Sequence, residues 1–136
     1  MNRMSRTLAV VASAATGAGL LVAASPAANA TGIEAHKRGT CTQGSTWELE
    51  LEKEHGVIDV DFEAETRSAG DRWKVKVKHK KVKNNKKWVY RSHTVSDREG
   101  EVDVDRYLKD RAGKDKVVVR VKSTASGEVC KAKLKI

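Results

Sequence analysis

A strongly basic stretch with interleaved aromatic residues lies in the middle of the chain. Residues 71–93 read DRWKVKVKHKKVKNNKKWVYRSH and hold ten lysines and arginines against one acid, Asp71. Clustered cations attract polyanions, and exposed aromatic rings stack against bases or sugars. Two interpretations follow: a surface that grips a polyanion, or one hairpin of an ordinary sheet whose aromatic residues pack in a core.

The residues that usually carry catalysis are few and scattered. The four histidines share no metal-ligand spacing, and the sequence contains no HExxH, GxSxG or phosphate-loop motif. Acids that alternate along strands are ordinarily solvating side chains rather than catalytic pairs. We therefore expect a non-catalytic protein that uses no metal and no cofactor.

Alternating apolar and charged residues indicate the elements that position these side chains. In STWELELEK, for example, Trp47, Leu49 and Leu51 alternate with glutamates. Such a period of two predicts a strand with one buried face and one exposed face. Seven stretches follow this pattern between turn signals: 45–53, 57–65, 72–79, 87–95, 101–105, 116–123 and 130–136. They predict an all-β fold, a single seven-stranded antiparallel β-sandwich of immunoglobulin or fibronectin III type over residues 41–136.

Residues 1–30 have the composition of a secretory signal peptide. Arg3 and Arg6 precede an apolar stretch, which ends in the small residues of SPAANA. A membrane anchor is the alternative, but the stretch is interrupted by glycine and threonine and is short for a bilayer core. We expect cleavage after Ala30 and a secreted, extracellular protein. Cleavage removes two cations and no acid, so the net charge falls from +9 to +7, and residues 31–40 are expected to form a mobile segment.

The two cysteines lie near the two ends of the predicted domain. In an oxidising compartment Cys41 and Cys130 have one possible pairing, and a bridge closing so long a loop stabilises a fold by roughly 4 to 5 kcal/mol. The alternatives are a metal pair and a reactive thiol, which the absence of CxxC spacing and of a nearby histidine disfavours. A disulfide is predicted.

Several segments together resemble a known group of proteins. CTQGSTWELELEKEHGVIDVDFEAET, GDRWKV, GKDKVVVRV and SGEVCKAKLKI are similar to small uncharacterised secreted proteins of Streptomyces and related actinobacteria. The resemblance covers nearly all of residues 31–136 and consists mainly of the strand pattern and the two cysteines. It implies secretion and a sandwich fold, and it implies no active residue.

The hairpin at the centre of the basic stretch has a predicted register. A two-residue loop at Asn84-Asn85 would pair Lys81 with Trp88, His79 with Tyr90 and Val77 with Ser92. In that register Trp88 and Tyr90 lie near the hairpin tip, either packed in the core or emerging as an aromatic platform for a ligand. Residues 87–95 are expected to form an edge strand.

The outward charges are sorted by strand. The first, second and fifth predicted strands show acids outward: Glu48, Glu50, Glu52, Asp59, Asp61, Glu63, Glu65, Glu101, Asp103 and Asp105. The third, sixth and seventh show cations, and the fourth adds Arg91: Lys74, Lys76, Lys78, Lys80, Arg91, Arg120, Lys122, Lys131, Lys133 and Lys135. In an immunoglobulin-like sandwich these two sets of strands form separate sheets. One broad face is then acidic and the other basic.

Two classes of function fit this arrangement. The first is a secreted binding module whose basic sheet contacts an anionic polymer of the cell envelope or surroundings, such as teichoic acid, nucleic acid or acidic polysaccharide. The second is a secreted protein-interaction or structural domain, which stacks on copies of itself or acts as an inhibitor of a protein partner. A simpler alternative to these two functions is that the charged faces only keep the protein soluble.

Overall fold

The protein is a two-sheet, all-β structure. The computed structural model describes residues 32–136, which form strands and turns and no helix. Eight strands follow in chain order: β1 (Ile33–Thr40), β2 (Thr46–Glu54), β3 (Val57–Glu65), β4 (Arg72–Lys81), β5 (Lys87–Val95), β6 (Glu101–Lys109), β7 (Asp115–Ser123) and β8 (Val129–Lys135). They form two antiparallel four-stranded sheets, with the orders β1-β2-β3-β6 and β5-β4-β7-β8. The predicted sandwich class is confirmed.

One apolar cluster fills the space between the sheets. Every second residue of the central strands is buried, and Leu49, Val60 and Phe62 of one sheet and Val119 and Val121 of the other are fully buried. Their neighbours in sequence point away from the core, as a strand's alternating geometry requires. The burial of one face therefore decides which charged residues are displayed on the other.

The predicted division of strands between the sheets is confirmed. The seven strands expected from sequence correspond to β2 to β8, and β2, β3 and β6 share one sheet while β4, β5, β7 and β8 share the other. The expected edge position of the 87–95 strand is also confirmed, because β5 pairs with β4 on one side only.

The count of seven strands was wrong, because an eighth strand lies within the segment 31–40 that was expected to be mobile. Ile33–Thr40 forms β1, which pairs along its whole length with β2. The strand gave no alternating signal because it lies at a sheet edge, where its inward face is only partly buried. Ala35 and Gly39 are half-buried, and Lys37, which shares their inward phase, is exposed. Backbone pairing and the bonds of His36 and Arg38 to the carboxylate of Glu48 hold it in place.

The predicted register of the β4–β5 hairpin was wrong by two residues. His79 pairs with Trp88, and Val77 pairs with Tyr90. The loop contains four residues, 82–85, because the Lys81 amide donates to the Lys86 carbonyl at 2.8 Å and Asn85 takes a positive φ of 57°. A shift by an even number of residues changes the partners and leaves each side chain on its predicted face.

The predicted disulfide is confirmed and joins the two sheets. Cys41 lies in the turn between β1 and β2, and Cys130 is a fully buried residue of β8. The bridge spans a sequence separation of 89 residues. Most of the folded chain therefore lies within the loop that it closes.

The predicted signal peptide, residues 1–30, lies outside the described residues. Within residues 32–136 no helix is long and apolar enough to cross a membrane.

Removing the disulfide is expected to lower stability strongly. When both Cys41 and Cys130 are replaced by alanine, the unfolded chain is no longer closed into a loop by two residues 89 positions apart, so its conformational entropy increases. The chain-entropy model predicts that the free energy of unfolding falls by about 4 to 5 kcal/mol. Urea unfolding of the oxidised parent and the double variant measures this loss. A loss below about 1 kcal/mol, or two free thiols in the intact mass of the purified protein, would contradict the prediction.

Candidate functional site

Most of the residues predicted to bind a polyanion lie on the outer side of the β5-β4-β7-β8 sheet. The ten cations predicted from sequence all occupy outward positions of this sheet, together with Arg72, Lys87 and Lys116, which the sequence analysis did not single out. These three follow the same alternation, so the signal for them was present. We call these thirteen residues the lysine face.

The lysine face is arranged in rows that run across the strands. Two of the rows carry a cation on all four strands. One contains Arg91, Lys76, Arg120 and Lys131, and the other contains Lys87, Lys80, Lys116 and Lys135. Between them runs a row in which Val89 and Val118 alternate with Lys78 and Lys133. A polyanion lying along either complete row would meet four cations.

Like charges on the lysine face act on one another. Lys78 and the surrounding cations lower the pKa of Lys76, and Lys133 and its neighbours lower that of Lys116. Among residues 32–136, none of the thirteen cations forms a salt bridge, and no acid occupies an outward position of β4, β5, β7 or β8. The charge of this face has no counterpart inside the described part of the molecule.

Trp88 and Tyr90 lie on the inner side of β5, away from the lysine face. Both rings are half-buried, and Tyr90 packs against the core. The guanidinium of Arg111 lies 4.2 Å from the centre of the Trp88 ring, and that of Arg106 lies 4.0 Å from the centre of the Tyr90 ring. These arginines cover the rings by cation–π contact at the open side of the sandwich. Neither ring is displayed beside the outward lysines as a stacking platform.

The opposite side of the molecule carries the predicted acids. The ten acids named from sequence occupy outward positions of β2, β3 and β6, and we call them the acidic face. Glu48 alone among them has a cationic partner within residues 32–136, in β1, where Arg38 Nε donates to its carboxylate at 2.8 Å. That hydrogen bond lowers the pKa of Glu48.

The remaining acids repel one another. Partial burial and neighbouring carboxylates raise the pKa of Glu50, Asp61 and Glu63, and the charges of Glu63 and Asp103 raise that of Glu101. Oxygen atoms of Glu63, Glu101 and Asp103 lie within 4.8 Å of one another. Glu63 and Asp103 are exposed, as is usual for solvating acids, so this proximity does not by itself make a metal site. The expectation that the protein uses no metal stays a prediction.

A buried ionic network at one end of the sandwich was missed by the sequence analysis. Asp115, at the start of β7, is fully buried and accepts hydrogen bonds from Lys53 at 2.7 Å, Lys81 at 2.8 Å and His79 at 2.6 Å. Alternation placed His79 and Lys81 on the inner side, but Asp115 directly follows a turn signal and carried no pattern of its own. Only folding brings β2, β4 and β7 together at this point.

Backbone carbonyl groups also take part in this network. Lys81 also donates to the carbonyls of Arg111 and Gly113, so it fastens the loop before β7. Burial alone would raise the pKa of Asp115, but the hydrogen bonds from the two lysines and His79 outweigh burial and lower it to about 2. Asp115 is therefore ionised at neutral pH and acts as the counter-charge for the ammonium groups of the buried Lys81 and the half-buried Lys53. This arrangement stabilises the structure and leaves no room for a substrate beside the carboxylate, whose side chain is 0 % exposed.

A half-open groove of about 570 Å³ lies at one end of the acidic face. It is lined by parts of β1, β2 and β3, including Arg38, Glu48, Glu63 and Glu65. No histidine or cysteine lines it. Its lining offers no nucleophile paired with a base, so it adds nothing to the case for catalysis. The expectation of a non-catalytic protein stays a prediction.

No family model, no curated protein and no solved structure matches this chain.

Neutralising Asp115 is expected to destabilise the fold severely. Asp115→Asn keeps the shape of the side chain but leaves Lys81 without a carboxylate partner and Lys53 with only Asp110, at 3.4 Å; breaking a buried ion pair in this way typically costs about 3 to 5 kcal/mol. Urea unfolding at pH 7 measures the effect. The matched control is Asp105→Asn on the exposed acidic face, which should leave stability unchanged or slightly higher. Equal losses in the two variants would refute the prediction.

Stability is expected to pass through a maximum in weakly acidic solution. The pKa values of Glu50, Asp61, Glu63 and Glu101 are raised in the folded protein, so the folded state binds protons more readily there and stability increases as the pH falls from 7. Asp115 has the opposite sign. Its stabilising contribution is complete above its ordinary value of 3.8 and is lost as the pH falls towards its folded-state pKa of about 2.

Denaturant midpoints measured between pH 2 and pH 8 test this profile. The expected curve rises from pH 7 towards the ordinary carboxyl range near 4 and then falls steeply. Asp115→Asn should flatten the steep part. A curve that declines steadily from pH 7 downwards would mean that repulsion on the acidic face is unimportant.

Proposed function

We propose that the protein is a secreted, non-catalytic binding module whose lysine face holds an anionic polymer of the cell envelope or its surroundings. The observation that carries the proposal is the concentration of thirteen outward lysines and arginines, with no outward acid, on one four-stranded sheet. A face of this kind raises the local concentration of anions and gains affinity from the counterions that a polyanion releases.

The sheet holds the charges at fixed spacings. Outward residues recur about every 6 to 7 Å along a strand, and neighbouring strands lie about 4.8 Å apart. Pairing fixes the backbone of the central strands β4 and β7 on both sides. The cations therefore lose little backbone freedom on binding, and only the lysine side chains must be ordered.

The composition of the face favours recognition of charge density over recognition of a particular chemical group. Ten of the thirteen cations are lysines, which act as flexible point charges, whereas arginine offers planar, two-point contacts to a phosphate or carboxylate. The half-buried aromatics Trp88 and Tyr90 face inward and are covered by arginines. We therefore propose a ligand read through its repeated phosphate, sulfate or carboxylate groups, without stacking of bases or sugars.

Two features support secretion as part of this proposal. Residues 1–30 have the order of charged, apolar and small residues found in export signals. The bridge between Cys41 and Cys130 is of a kind that persists in oxidising compartments.

Charge reversal of three residues of one complete row tests the function. In the base-reversed variant, Lys76, Arg120 and Lys131 are all changed to glutamate. These residues lie side by side on β4, β7 and β8, so their reversal removes one of the two rows on which a polyanion would meet four cations and places three negative charges at the centre of the face. We expect at least a tenfold weaker affinity and a salt slope smaller by about three units. Titrations of duplex DNA, polyphosphate and a carboxylated polysaccharide between 20 and about 200 mM salt measure both quantities.

The matched control, called the loop-reversed control, changes the same number of charges at positions outside the thirteen residues of the lysine face. Lys83, Lys86 and Lys114, all in exposed loops, are changed to glutamate, which gives the same net charge as the base-reversed variant. Only a face-specific site distinguishes the two variants, since each loses six units of charge. The proposal fails if none of the polymers binds the parent at low salt, or if the two variants bind equally well. Binding of a neutral glucan as strong as that of the polyanions would also refute it.

A further inference from the structure

We propose that the acidic face of one copy of the protein binds the lysine face of a second copy, so that the molecules associate head to tail into open chains. This proposal is independent of the polymer ligand, although both would use the lysine face. It follows from the sorting of charge between the two sheets.

The two faces cannot satisfy each other within one molecule. Nine of the ten acids of the acidic face, and all thirteen cations of the lysine face, form no salt bridge within residues 32–136. The faces lie on opposite outer sides of a sandwich whose sheets pack about 10 Å apart. Direct pairing between the faces therefore requires a second molecule.

The two faces also match in layout. Paired strands display the acids in rows just as they display the cations, and the row of Glu50, Asp61 and Asp105 has the same strand-to-strand spacing as the row of Lys76, Arg120 and Lys131. Both lattices come from antiparallel sheets, so their rows have equal spacing along the strands. When one face lies over the other, several rows can therefore meet at once.

Repulsion within each face favours this contact. The neighbouring carboxylates of Glu63 and Asp103 raise the pKa of Glu101, and neighbouring cations lower the pKa of Lys76 and Lys116. Each face is therefore held in an unfavourable electrostatic state when it faces water alone. Apposition of opposite faces reduces the repulsion on both sides at the same time.

The size of the contact predicts weak, salt-sensitive association. Four strands span about 15 to 19 Å and nine residues extend about 30 Å, which gives roughly 500 Å² on each partner. The total of about 1,000 Å² lies below the usual 1,200 to 2,000 Å² of stable complexes. Because the surfaces are charged and solvated, screening at physiological salt should separate the copies.

The geometry also predicts the form of the assembly. The contact joins two different surfaces that lie on opposite sides of the molecule, so it is heterologous and is not closed by two-fold symmetry. Each added copy leaves a free acidic face at one end and a free lysine face at the other. Association should therefore continue beyond dimers as the concentration rises.

A charge-swap experiment tests the proposal with two complementary variants. The acid-reversed variant carries Glu50→Lys, Asp61→Lys and Asp105→Lys, and it is compared with the base-reversed variant described above. Sedimentation velocity of the purified, disulfide-bonded protein in 20 mM salt follows the weight-average mass. We expect it to rise with concentration for the parent and for the loop-reversed control, and to stay at the monomer value for each face variant alone.

Mixing the two variants provides the decisive measurement. The acid-reversed molecules keep an intact lysine face and the base-reversed molecules keep an intact acidic face, so these two faces should bind each other and an equimolar mixture should associate again. Attraction between molecules of opposite net charge does not explain such a result. Residues 31–136 of the base-reversed variant still have a positive net charge, +1, which is six units below the +7 of the parent. Circular dichroism of each variant checks that it is folded. If the acid-reversed variant is unfolded, a neutral variant with Glu50→Gln, Asp61→Asn and Asp105→Asn takes its place. This neutral variant, measured alone, should also stay at the monomer value.

The outcomes separate this proposal from the polymer-binding function. Any one of three results overturns self-association. The parent stays monomeric in low salt, the mixture of the two variants stays monomeric, or the loop-reversed control loses association as fully as the base-reversed variant. The acid-reversed variant keeps the lysine face and should still bind polyanions. Loss of polymer binding by the parent with intact self-association would overturn the proposed function alone.

Discussion

The burial of one apolar face between two antiparallel sheets is the constraint on which the other features depend. Each strand alternates between a residue that must enter the core and a residue that cannot. Leu49 and Leu51 are fully buried, so Glu48 and Glu50 are forced outward; Val119 and Val121 are fully buried, so Arg120 is forced outward as well. The charged faces are thus a geometric consequence of the core. Any strand that slipped by one residue would exchange its charges with its hydrophobic side chains, which makes that register error very costly.

Sorting of charge by sheet goes beyond what this constraint demands. The core requires polar residues outside, but it does not require the ten acids of the acidic face to lie together on β2, β3 and β6 and the thirteen cations of the lysine face to lie together on the other sheet. Like charges directly opposite each other on neighbouring strands destabilise a sheet, and the neighbouring carboxylates of Glu63 and Asp103 raise the pKa of Glu101. Mixed charge would give solubility without such repulsion. Both proposed interactions, with a polyanion and with a second copy, give the sorted arrangement a physical use.

The ends and edges of the sandwich are held by contacts other than apolar packing. The disulfide joins the β1–β2 turn to β8 at one place, and the Asp115 network ties β2, β4 and β7 to the loop before β7 at another. Arg106 and Arg111 cover Tyr90 and Trp88 where the core is open towards solvent. A sandwich of this length has a thin core at its ends, and ionic and covalent contacts supply order where there is little apolar surface to bury.

The sequence by itself determined the strands β2 to β8, the face that each side chain occupies, the division of strands between sheets and the cysteine pairing. These follow from a local period of two and from having only two cysteines. Tertiary structure alone decided the rest. β1 has no alternation of apolar and charged residues, because its inward face at the sheet edge is only partly buried, and it became visible only through pairing with β2. The loop conformation at Asn85 set the register of the β4–β5 hairpin. The alternating sequence pattern does not determine this register, because a shift by two residues leaves every side chain on the same face. The partnership of Asp115 with Lys53, Lys81 and His79 joins residues up to 62 positions apart, and such a contact has no local signature because it is created only when the strands meet.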